Sequence, residues 1–221
     1  MTQNVSTPRS AAAGITMILC AAVSVVAVAH HPAIEHATTA ADVLAQMVRL
    51  SGVDEAVHGI LIVAACGLLF GLAAFAARRG LHDDAVLAGL VAYGVGTVAV
   101  IAAALIDGFL LPAIAARYAT APPPRPATAV QIITVCAAAV QIATKTWLLA
   151  TSFAVLAWSF GLLRYRGPLR VTGAGGIVST VLVLAVLAFS ATLNPHNLGA
   201  VVVLQTLWYV AVGALMTRGE L

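Results

Sequence analysis

The sequence predicts an all-α integral membrane protein, a bundle of six transmembrane helices with both termini cytoplasmic, and three observations predict it. Of the 221 residues, 62% are hydrophobic and 9% charged, with a mean hydropathy of +1.03, a balance outside the range of soluble domains. The apolar runs have about the 20-residue length that a helix needs to cross hydrocarbon about 30 Å thick. The basic residues alternate between loops, as they do when successive spans are held in place by cytoplasmic positive charge.

The crossings are expected at 11–31, 55–77, 84–111, 143–163, 171–193 and 198–217. The first run lacks a small-x-small cleavage site followed by a polar chain, so it is taken as a helix and not as a signal peptide. With an inside N-terminus, a short tail over 1–10 and the inner loops hold Arg9, Arg78, Arg79, Arg164, Arg166, Arg170 and Arg218. Arg49, Arg117, Arg125 and Lys145 fall on or near the outer side, a split of seven to four. This places the single transmembrane domain, 1–221, as a multi-pass protein of a bacterial-type inner membrane. The net charge of +3 is dispersed in this topogenic pattern, so a lipid bilayer is the expected partner and nucleic acid is not.

Two outer loops stand out. In 32–54, Thr38-Thr39-Ala40-Ala41-Asp42 reads as a helix start, and Val43, Leu44, Met47, Val48 and Leu50 share one side against Asp42, Gln46 and Arg49. That predicts a short interfacial helix, ended by Ser51-Gly52, with Asp54 capping the next crossing. In 117–128, Pro122-Pro123-Pro124-Arg125-Pro126 predicts an extended, stiff connector. The chain is then apolar from 127 to 163, so either a helix protrudes outward or an interfacial turn precedes the fourth crossing. Gln131, Ala138, Lys145, Ser152 and Ser159 recur every seven residues there, a small or polar stripe that should face the bundle.

Packing should rest on small residues: Gly67 and Gly71 form a Gly-xxx-Gly pair, and Gly89, Gly94 and Gly96 thin the third crossing. The halves share no repeat, which disfavours an inverted-repeat transporter. Cys20, Cys66 and Cys136 lie singly in apolar sequence and read as packing residues. No established catalytic motif is present in the sequence.

The chemistry therefore rests on the distribution of polar groups. Five of the six histidines, His30, His31, His36, His58 and His196, fall at or beyond one end of the bundle, and His82 lies at the other. Asp107 and Lys145 sit at similar depth to the five, and a polar group in hydrocarbon needs a partner. Imidazole with carboxylate suits zinc, copper or iron, so His30, His31, His58, Asp107 and His196 are candidate metal ligands in an outward-facing pocket. Glu35 and His36 could form a lid. Asp107 and Lys145 are candidate catalytic groups of a metal-dependent enzyme acting on a lipid or small-molecule ligand at the outer leaflet.

Other readings compete. Histidines at a helix end can be simply solvated, as His196 would be in a loop, and Asp107 and Lys145 could pair with each other. A heme held between His31 or His30 and His58 would make an electron-transfer protein, although no inner histidine pair accompanies it. A non-catalytic subunit or small carrier, with structural polar groups, is the remaining alternative.

Overall fold

The computed structural model describes residues 8–32, 37–122, 124–190, 193 and 195–221, without the side chains of 8–10, 195 and 196. Among the described residues every regular element is helical: α1 Pro8–Ala29, α2 Ala40–Arg79, α3 Asp84–Leu105, a π-helical turn Ile106–Leu110, α4 Leu111–Tyr118, α5 Arg125–Leu162, α6 Pro168–Phe189 and α7 Pro195–Thr217. Among the described residues, six helices are long and apolar enough to cross a membrane, with α3, the π-turn and α4 counting as one. This is a multi-pass membrane architecture.

The spans close into a ring in sequence order: α1 packs on α2, α2 on α3, α3 on α5, α5 on α6, α6 on α7, and α7 on α1. Its outer surface is a belt of exposed apolar side chains, among them Val63, Val98, Val135 and Phe189. Such a continuous belt would drive aggregation in water and is covered at no cost by acyl chains. The expected glycine contacts hold the ring internally. Gly67 and Gly71 lie against Cys20 and Met17 of α1, and a methyl group on Gly14 would stand 2.6 Å from the Gly213 carbonyl oxygen of α7. Close backbone approach of this kind is the main source of helix association in lipid. All three cysteines are free.

Aromatic residues plug one end of the ring. The indoles of Trp158 and Trp208 stack at 6.0 Å and 5° from parallel, and Phe75 meets both edge-on. Trp158 Nε1 donates to the Val86 carbonyl, so the indole polar atom is satisfied in the core. Gly80, at φ 96°, ends α2 at this same end, and the exposed His82 follows in the turn to α3.

The opposite end differs from the sequence expectation. The predicted interfacial helix is instead the start of α2, a continuous helix of 40 residues, about 60 Å long. Thr39 and Asp42 form its capping box, as the helix-start pattern predicted, but Ser51-Gly52 does not end it. An interior glycine costs about 1 kcal/mol relative to alanine. Continuing the helix carries the fully buried Leu44 and nearly buried Met47 into a small core with Leu111, Ala115, Ala129 and Ile133. Each large side chain so buried contributes about 1.5–3 kcal/mol, which outweighs the glycine.

The same core explains α5, which runs unbroken over 38 residues and so takes the protruding-helix alternative, not the interfacial turn. The proline-rich connector is shorter than expected, because Arg125-Pro126 forms the first turn of α5, where proline lacks only an N–H that would have no helical partner. Of the heptad stripe on α5, Ser152 and Ser159 are buried toward the ring, whereas Gln131 and Ala138 are exposed.

Candidate metal centre and cavity

Three elements bring His31, His58, Asp54 and Asp107 together. His31 follows the end of α1, and its Nδ1 lies 2.9 Å from the Pro32 carbonyl oxygen. His58 is 4% exposed on α2, with Nδ1 2.9 Å from the Asp54 carbonyl oxygen. A carbonyl can only accept, so both rings carry their proton on Nδ1 and turn Nε2 outward. Those two Nε2 atoms converge on one oxygen: Asp107 Oδ2 lies 3.5 Å from His31 and 3.4 Å from His58. The rings meet edge to face at 5.0 Å.

Asp107 reaches this point from the π-turn. Pro112 has no N–H to donate to the Gly108 carbonyl four residues earlier, and its ring crowds that carbonyl; the turn widens, with the Leu111 N–H bonding Ile106 O. Turns of this kind concentrate at functional sites. Gly108 completes the fit, since a Cβ there would stand 2.5 Å from Cγ and 2.7 Å from Nδ1 of His58.

Two imidazole lone pairs and a carboxylate oxygen are all acceptors. They can share one location only with a cation between them, either protons on the Nε2 atoms or one metal ion. The distances of 3.4 and 3.5 Å exceed the usual 2.7–3.2 Å hydrogen-bond range. They match the roughly 3.4 Å edge between two ligands each about 2.1 Å from a tetrahedral ion. Donor atoms of His31, Asp54 and His58 also lie within 4.8 Å of one another, a group that could hold a metal ion. The Asp54 carboxylate, however, faces Nδ1 of His58 at 3.1 Å, the nitrogen already committed to the main chain. Its buried Oδ1 has no hydrogen-bond partner, so it lies beside the ring as a charged neighbour while the Asp54 carbonyl takes the Nδ1 hydrogen bond. At the mouth, the Asp107 carboxylate beside His31 raises its imidazole above the usual range, against the opposing effect of burial.

The centre opens into a cavity of about 270 Å³ walled by α1, α2, α3, α5 and α7. His31, His58 and Asp107 line one end, and Leu68, Tyr93 and Tyr209 the other, next to the aromatic plug.

The remaining sequence candidates lie elsewhere. His30 is exposed and its Nδ1 bonds the Val26 carbonyl at 2.8 Å, which closes the last turn of α1. Lys145 is half-buried on α5 and is not part of the cavity wall; the close partners of Asp107 are the two imidazoles. The His196 side chain, Glu35 and His36 lie outside the described residues. A heme held between two histidines needs their imidazoles opposed across its plane, whereas His31 and His58 are edge to face with both Nε2 atoms turned to one carboxylate.

Sequence reasoning gave Asp54 only a helix-capping role and passed over Gly108 and Pro112. Asp54 and His58 stand four residues apart, a helical metal-site spacing, and it was hidden by reading Ser51-Gly52 as a break. Pro112 four residues after Gly108 was the available signal for the π-turn. No family model, curated protein or solved structure matches the chain.

Proposed function

We propose that the chain is a membrane metalloprotein in which His31, His58 and Asp107 hold a divalent transition metal, with zinc the best fit. Asp54 orients His58. Both termini are cytoplasmic in this reading, following the arginine distribution, and the centre lies at the outer end of the bundle in a bacterial-type inner membrane. The observation that carries it is that Asp107 Oδ2 lies at tetrahedral-edge separation from the Nε2 atoms of both histidines. Three protein ligands leave a fourth position open to the cavity, the pattern of catalytic zinc and of two-histidine, one-carboxylate iron sites. When bound, such an ion activates water or polarises a carbonyl or phosphoryl oxygen. The reading is therefore a metal-dependent enzyme acting on a molecule seated in the cavity.

Metal content per chain tests this after purification without chelator or histidine tag. Wild type and His82→Ala should carry about one equivalent, and His58→Ala should carry none. Substoichiometric metal in wild type, after incubation with zinc or ferrous iron, would leave Asp107 clamping two protonated imidazoles and remove the enzyme reading.

A further inference from the structure

The cavity that adjoins the centre is bordered by residues several turns apart on two helices. Along α3 its wall runs from Tyr93 to Asp107, and along α2 from His58 to Leu68, which at about 1.5 Å per residue are roughly 21 and 15 Å. A cavity of about 270 Å³ lies at the small end of ligand pockets, with room for one hydrocarbon chain. Its wall is chemically graded. Charge is confined to the end with His31, His58 and Asp107, and the depth is lined by residues such as Leu61, Ala65, Val100, Ala104 and Val202.

Five of the polar side chains along the depth are spent on the protein itself. Ser24 donates to Cys20 O, Thr97 to Tyr93 O and Thr206 to Ala21 O. Gln141 clamps the main chain of Leu193 with both ends of its amide, and the Gln205 amide donates to Thr151. A ligand lying here meets a wall with little hydrogen bonding on offer, so a polar body would lose its water without replacement. An apolar body gains about 25 cal/mol for each Å² covered.

We infer that the site takes a single-chain amphiphile, its hydrocarbon chain running down the bundle toward Tyr93 and Tyr209 and its oxygen-bearing head at the His31–His58–Asp107 end. A free fatty acid and one chain of a membrane lipid share this chemistry. The head's position rests on the proposed metal, and the chain's position rests on the cavity alone.

The test uses the full-length protein in lipid discs and mid-chain dibromododecanoate, whose bromines quench tryptophan on contact; Trp147 lines the cavity. Wild type should show saturable quenching that Trp147→Phe reduces, that dodecanoate reverses and that butyrate does not. Ala104→Phe fills the chain's path, and overpacking by 1–3 kcal/mol should weaken half-saturation about tenfold or more with metal content unchanged. His58→Ala should lose the metal and weaken half-saturation by about tenfold, with quenching still saturable.

Quenching that rises linearly with probe in wild type, or that butyrate reverses as well as dodecanoate does, overturns the inference without any variant. Equal half-saturation in wild type and Ala104→Phe overturns it too. Saturable, dodecanoate-reversed quenching in a wild type free of metal would support the chain site and refute the metal centre, so the two failures are distinct.

Discussion

Gly108 is the position at which one added carbon tests the centre most directly. A Cβ at residue 108 would stand 2.5 Å from Cγ and 2.7 Å from Nδ1 of His58, where carbon contacts relax to about 3.5–4.0 Å. The obstructing atoms lie at the root of the imidazole, so rotation of the ring cannot clear them; α2 and the π-turn must separate by about 1 Å. Overpacking of this kind costs about 1–3 kcal/mol, partly offset by the 0.5–1 kcal/mol that alanine gains over glycine in a helix. For Gly108→Ala the net loss of about 1–2 kcal/mol should lower Tm by about 2–8 °C in a chain of this size. Because the His58 Nε2 moves with the helix, zinc affinity should fall about 10–100-fold, measured by competition with a chromophoric chelator. Gly59→Ala is the matched control: it neighbours His58 in sequence, and a Cβ there meets nothing within 4 Å. It should leave affinity unchanged and hold or raise Tm. Gly108→Ala binding zinc as tightly as wild type would refute the claim that this contact sets the position of His58.

Two further outcomes follow from the same geometry. In metal-free protein His31 is raised by Asp107. Its contribution to stability is therefore complete below the unfolded value of about 6.5 and is lost as pH rises through the higher folded value. Chelated wild type should lose Tm between neutral and alkaline pH by more than His31→Asn does, and equal slopes would show that His31 is not paired. Metal-loaded protein should show the opposite trend, binding more weakly as pH falls, because protons compete for both Nε2 atoms. A topology reporter after Leu221 should report cytoplasm and one inserted at Ala121, beyond α4, the exterior; the same side for both would contradict the proposed orientation.

The sequence by itself determined the membrane class, the number of spanning segments, the internal role of Gly67 and Gly71, and the placement of His30, His31 and His58 at one end. Each of these follows from composition, run length or helical spacing, which are local properties of the chain. It could not determine that α2 continues through Ser51-Gly52 as one helix, because the glycine penalty at Gly52 is local while the burial that outweighs it comes from Leu111, Ala115, Ala129 and Ile133 on other helices. That unresolved boundary concealed the placement of Asp54 one turn before His58. Likewise, Asp107 could be recognised as a carboxylate near a helix end, yet its partners were decided by the widened turn before Pro112 and by the close approach at Gly108. Only the closed ring turned two Nε2 atoms toward one oxygen, since convergence from three elements depends on rotation and depth between helices, and no single segment encodes either.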